Sequence, residues 1–198
     1  MRKLALLAAC LLATPASATG LKITLDGIAQ GVIEVDLFED VAPQAVAQIT
    51  ALAEAGFYDG VVFHRVIEGF MAQTGDGEFG NIADLDLRQA GTGDSDRPNL
   101  EAEFSETAFE RGVIGMARLG DPACFRVRNC IERPEYLNSA NAQFFIMFAA
   151  APHLNGAYTA IGEVTSGMEV VDAIKIGRGQ NGAVVSDPDV MTSVEVTE

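Results

Sequence analysis

Short apolar runs rich in β-branched residues recur along most of this chain, each closed off by Gly, Asp or Pro. This punctuation restricts the fold more than any other feature. Leu21–Leu25 and Gly31–Leu37 read as two strands joined by a turn through Asp26 and Gly27. Val61–Phe63 and Phe70–Gln73 read as strands flanking a turn at Glu68–Gly69. Val113–Ala117 and Phe144–Phe148 are continuous apolar runs typical of buried strands, and Val190–Val196 alternates as a final strand. Only two stretches have helical spacing. Pro43 opens the first, with Ala45, Val46, Ile49, Leu52 and Ala53 on one face, Asp40 available as a cap and Gly56 at its end. Val170, Val171 and Ile174 mark a shorter one after Gly167. Strands and helices do not alternate, so the pattern predicts an antiparallel sheet or barrel. No repeat or linker divides the 198 residues, which suit one domain. Residues 74–99 are rich in Gly and Asp, and a loop of that length suggests a binding surface.

The first residues stand apart from that domain. Arg2 and Lys3 are followed by an apolar run, Leu4–Leu12, and by the small-x-small site Ala16-Ser17-Ala18. This layout predicts a secretory signal peptide over residues 1–18, leaving residues 19–198 as a periplasmic or secreted domain. The run is too short to span a bilayer stably. A buried N-terminal element is one competing reading. Anchoring as a lipoprotein at Cys10 is another, because Leu7-Ala8-Ala9-Cys10 resembles a lipoprotein box. Cleavage after Ala18 is preferred, since few apolar residues precede Cys10 and more follow it. Loss of Arg2 and Lys3 takes the formal charge from −15 to −17, and so acidic a chain repels phosphate backbones. Nucleic acid is therefore excluded as a partner. Cys124 and Cys130 remain, and an exported compartment permits their pairing as a disulfide closing a small surface loop. Two free thiols is the competing reading. A metal site is disfavoured, because neither His64 nor His153 lies close by in sequence.

Ordinary catalytic machinery is absent: there is no nucleophile elbow and no HExxH. Gly75-Asp76-Gly77 and Gly91-Thr92-Gly93 lack the Lys and helix start of a phosphate loop and read as ordinary turns. The informative segment runs from Phe63 to Asp76, Phe-His-Arg-Val-Ile-Glu-Gly-Phe-Met-Ala-Gln-Thr-Gly-Asp. Strand alternation puts Phe63 and Arg65 on one face and Met71 and Gln73 on another, with Phe70 nearby. The expected result is an apolar slot with one charged donor.

This segment closely resembles the cyclophilin signature. Asn141-Ala142-Gln143-Phe144-Phe145-Ile146 resembles the family's motif ending in Gln-Phe-Phe-Ile, and Gly112–Arg118 resembles the strand before it in bacterial members. The resemblance runs from about Leu21 to the C-terminus. It implies a closed eight-stranded antiparallel β-barrel capped by two α-helices, and peptidyl-prolyl cis–trans isomerase activity on proline-containing polypeptides without metal or cofactor. It implies that Arg65 is the catalytic arginine, that Gln73 and Gln143 orient it and the substrate backbone, and that Phe70, Met71, Phe145 and Leu154 wall the proline pocket. Ala117 and Arg118 resemble the segment that contacts residues before the proline. Two positions depart from the common pattern: His153 stands where many members have Trp, and Tyr158 where many have His. Both are kept as substrate contacts, with loop exposure for His153 and packing for Tyr158 as alternatives. Because that Trp helps hold cyclosporin, weak cyclosporin binding is implied. The segment around Cys124–Cys130 looks like an insertion that could reshape access to the groove. A monomer satisfies the sequence. The competing functional reading is a non-catalytic peptide-binding chaperone or assembly factor of the same fold.

Overall fold

The computed structural model describes residues 19–127 and 130–198; the segment read from sequence as a signal peptide, with Cys10, lies outside them. The chain forms β1 (Gly20–Asp26), β2 (Gly31–Leu37), α1 (Pro43–Glu54), β3 (Val61–Val62), β4 (Arg65–Ile67), β5 (Met71–Thr74) and β6 (Val113–Met116). Then come α2 (Pro134–Leu137), β7 (Phe144–Met147), β8 (Ala160–Ser166), α3 (Met168–Ala173) and β9 (Val190–Thr197). Nine strands make one sheet in the order β3-β9-β1-β2-β8-β6-β7-β5-β4. Every pairing is antiparallel. The end strands β3 and β4 are consecutive in the chain, so the sheet curls until its two ends meet through Phe63 and His64. Counting β3 and β4 as one interrupted strand recovers the expected eight. The ladder itself is not closed there, because the backbone of this link pairs elsewhere: Phe63 N–H donates to the Asp189 carbonyl (2.9 Å), and the His64 carbonyl accepts from Val184 N–H (2.9 Å).

Two elements go beyond the sequence reading. β8 escapes a pattern search because Gly162 sits in its middle. That glycine serves close strand approach: a Cβ there would lie 2.5 Å from the Asp36 carbonyl oxygen on β2. The single turn α2 lies in the segment after Cys130.

Helix α1 begins and ends by different means. Gly56 (φ +71°) is its C′ residue: Phe57 N–H donates to the Leu52 carbonyl (3.0 Å) and Gly56 N–H to that of Ala53 (2.9 Å), a Schellman closure. Its start is not capped by Asp40. Ala42 holds the N-cap position with no side-chain bond. The Glu103 carboxylate accepts from Gln44 N–H (3.0 Å) and Ala45 N–H (2.9 Å) instead. A remote carboxylate therefore satisfies two of the free N–H groups that every helix start presents.

The buried strands separate two cores. Along β7, Phe144 and Ile146 point into the main core with Ile49 and Leu52 of α1 and Val171 of α3, while Phe145 and Met147 point into a smaller cluster with Met71, Phe109 and Leu154. Both faces are covered, which is why these strands read as unbroken apolar runs. The smaller cluster is the floor of the site.

Candidate active site

Register brings the candidate site residues into one row. Arg65 on β4 pairs with Gln73 on β5, Gln73 with Phe145 on β7, and Phe145 with Gly115 on β6. Directly paired residues share a face, so a cation, an amide and an aromatic ring stand side by side. Gly115 ends the row without a side chain for a steric reason: a Cβ there would lie 2.5 Å from Phe145 Cζ and 2.6 Å from Phe109 Cε1. The same register corrects the expected pairing of faces. Met71 and Gln73 join the face of Arg65, whereas Phe63 is fully buried in the main core. The chain is not a strand at Phe63–His64, so alternation does not carry across the link.

Above this row lies a half-open cavity lined by Arg65, Phe70, Met71, Gln73, Ala117, Arg118, Phe145, Leu154 and Tyr158. A second cavity adjoins it, sharing Gln73, Ala117 and Arg118 and adding Gln143, Asn141 and Leu119 among others. Gln143 thus faces the adjoining cavity. His153 lies beside the first one, its ring stacked on Phe70 at 5.8 Å between centroids and 28°. Tyr158 meets Phe145 edge-on at 5.8 Å.

Arg65 is held on two sides. Its Nη1 donates to Gln73 Oε1 (2.9 Å), its Nε to the Asn181 carbonyl (3.0 Å) and its Nη2 to Asn181 Oδ1 (3.2 Å). A guanidinium has five N–H donors, so two remain uncommitted among the described residues. The chain of bonds continues outward: Gln73 Nε2 donates to Gln143 Oε1 (2.9 Å), and Gln143 Nε2 donates to the Gly93 carbonyl (2.8 Å). Burial lowers the pKa of Arg65, with Tyr158 opposing, yet an arginine starts so high that it stays charged.

The family model for the cyclophilin-type peptidyl-prolyl cis-trans isomerases matches residues 21–196. The chain belongs to this family. A probable peptidyl-prolyl cis-trans isomerase of Brucella suis is 49% identical over 160 residues, 80% of this chain and 74% of that protein. The peptidyl-prolyl cis-trans isomerase of Helicobacter pylori is 36% identical over 150 residues, 75% of this chain and 77% of its own. A crystal structure of a Cryptosporidium parvum cyclophilin superposes with a TM-score of 0.69 over 92% of this chain and 99% of that one, at 22% identity. The fold is therefore cyclophilin-like and mainly β.

Several residues around this candidate site were not singled out from sequence. Asn181, in the left-handed region (φ 55°), grips Arg65 from 116 positions away; the only local signal is its Asn-Gly dipeptide. Asp76, fully buried, joins the two glycine turns. Its Oδ1 accepts from Glu78 N–H (3.0 Å) and Phe79 N–H (2.9 Å), and its Oδ2 from Gly91 N–H (2.6 Å) and Gly93 N–H (3.0 Å). One carboxylate thus ties both turns together and sets the Gly93 carbonyl to which Gln143 donates. Asn141 anchors the same loop, accepting from Ser95 N–H (2.9 Å) and donating to the Arg97 carbonyl (2.9 Å). Arg118 keeps its side chain 5% exposed: it donates to Glu132 (2.6 and 3.1 Å) and lies over the Tyr158 ring at 4.6 Å. Cys124 and Cys130 are joined by a disulfide, their Cα atoms 5.3 Å apart.

His64, beside Arg65 in sequence, is 3% exposed and neither ring nitrogen has a hydrogen-bond partner among the described residues. Burial depresses its pKa to about 4, Asp76 opposing and Arg65 assisting. An unfolded His titrates near 6.5, so below that pH the unfolded chain binds the extra proton. This contribution to stability is complete above about pH 6.5 and is lost as pH falls through about 4. Urea unfolding at pH 4.5 should give a stability about 2.5 kcal/mol below that at pH 7.5. His64→Asn should flatten most of that difference; an equal slope in both proteins would show that other groups carry it.

Proposed function

We propose that this cyclophilin accelerates X-Pro isomerisation in exported polypeptides by a non-covalent mechanism centred on Arg65. An amide resists rotation because its nitrogen shares a lone pair with the carbonyl, a barrier of about 18–20 kcal/mol. In the proposed mechanism the prolyl ring rests on Phe70, Met71, Phe145 and Leu154. A free N–H of Arg65 then donates to the prolyl nitrogen as the bond twists and the lone pair localises. That bond is stronger in the twisted state than in either planar state, which is the condition for rate gain. Water is kept from the apolar side of the cavity, which strengthens the interaction. The observation that carries this reading is the fixed guanidinium: three donors engaged by Gln73 and Asn181, two left over beside an apolar floor. Gln73 acts through Arg65, and Gln143 presents polar groups to the residues before the proline along Ala117 and Arg118. One relative in this family, from Cryptosporidium parvum, was crystallised in the presence of the dipeptide Ala-Pro, which supports a proline-containing ligand here as well. The direct test is exchange NMR on a short X-Pro peptide, comparing this chain with Arg65→Ala.

The protein acts after export to the periplasm or medium, a reading that rests on the Arg2–Ala18 pattern. Fractionation followed by N-terminal sequencing should recover a chain starting at Thr19; a lipid-modified Cys10 or a retained Met1 would refute it. Cyclosporin binds weakly, because His153 offers less aromatic surface beside Phe70 than an indole. His153→Trp should tighten cyclosporin binding about tenfold by fluorescence titration. No change would place the weakness elsewhere in the groove.

A further inference from the structure

We propose that the disulfide-closed insertion after Arg118 is a second docking surface for the client polypeptide, taking apolar side chains that precede the proline. This rests on the isomerase reading of the cavity. Leu119, Phe125, Val127 and Ile131 are 62%, 72%, 56% and 93% exposed and all fall within residues 119–131, while the other exposed large hydrophobics, Ile28, Val32, Ile82, Phe104 and Val185, fall elsewhere in the chain. Burial within the domain does not account for such a cluster, and clustered exposed apolar groups mark contact surfaces.

The described residues at the base of this segment are tied to one another. At its start Arg118 is buried and paired with Glu132. Asp121, its carboxylate 1% exposed, accepts from Arg133 Nε (2.9 Å) and Nη2 (2.8 Å) and from Ala123 N–H (2.9 Å). The disulfide closes the tip. These ties hold the base while leaving the apolar side chains outside.

Its position names the occupant. Leu119 lines the second cavity, which runs into the proline cavity through Gln73, Ala117 and Arg118. A polypeptide leaving the proline cavity along Ala117 and Arg118 arrives at this surface. Charge favours the same partner: Arg118 and Arg133 are paired with Glu132 and Asp121, so the described part of the surface keeps the cation Arg126 and no unpaired acid, within a chain of net charge −15. An unfolded, apolar client segment without excess positive charge fits both features.

The test compares isomerisation of two peptides by exchange NMR with the full chain. One is a four-residue Ala-Ala-Pro-Ala peptide. The other carries Leu and Phe at the third to fifth positions before the proline. The wild type should favour the longer peptide about fivefold in kcat/KM. Phe125→Ser with Val127→Ser should remove that preference and leave the short-peptide kcat/KM unchanged. Cys124→Ser with Cys130→Ser should reduce it. A preference that is absent in the wild type, or that survives both variants, overturns the proposal. Loss of turnover on both peptides in the wild type would instead defeat the isomerase reading. The docking surface is then judged on binding: amide shifts at Phe125 and Ile131 must respond to the longer peptide, and silence there overturns it. Concentration-dependent dimerisation abolished by the same substitutions would assign the patch to a second copy of this chain and also overturn it.

Discussion

Arg65→Ala is expected to lower kcat/KM for X-Pro isomerisation by about 10²–10³-fold while thermal unfolding stays close to that of the wild type. The first part follows if, as proposed, Arg65 is the donor aimed at developing lone-pair density; loss of one such preorganised donor costs about 2.7–4 kcal/mol in comparable sites. The second follows from location. Arg65 lies at a cavity wall, and Gln73 Oε1 and the Asn181 carbonyl, its partners, stand at part-exposed or exposed positions where water can replace it. Arg65→Lys keeps the charge but lacks the planar fork that bridges Gln73 and Asn181, so only partial rescue is expected. Exchange NMR on a short peptide reads the rate, and circular dichroism reads the fold. A folded Arg65→Ala protein with wild-type turnover would exclude the arginine mechanism and leave the apolar floor as the sole source of catalysis.

The largest loss of stability is expected at Asp76. Its carboxylate accepts four backbone N–H bonds in a fully buried site. Asp76→Ala leaves those donors without a partner, each costing about 1–3 kcal/mol when buried. A net loss of about 4 kcal/mol is expected after water enters, a fall in Tm of about 10 °C for a chain of this size. Activity should fall with it, because the freed Gly93 carbonyl no longer fixes Gln143, and Gln143 no longer fixes Gln73. Asp76→Asn retains one acceptor oxygen and should lie between. Differential scanning calorimetry decides the first point: a Tm within about 2 °C of wild type, a loss of no more than about 1 kcal/mol, would mean that the loop is held by Asn141 alone.

What was legible in the sequence is what depends on near neighbours. The run Phe144–Met147 declares a strand covered on both faces, and Gly56 declares a helix end because only glycine adopts its left-handed backbone cheaply. The segment Phe63–Asp76 carried enough identity to point to the family. What local pattern could not reveal are partnerships between residues far apart in the chain. Glu103 caps α1 from 58 positions away, Asn181 holds Arg65 from 116, and the placing of Phe63 opposite Arg65 depends on a break in strand geometry at His64. Even the role of Asp76, whose partners are 2 to 17 positions distant, depends on how a loop closes. Side-chain periodicity records which face a residue takes within its own element. Which groups meet across elements is decided only when the sheet curls and the loops are forced to satisfy their buried donors.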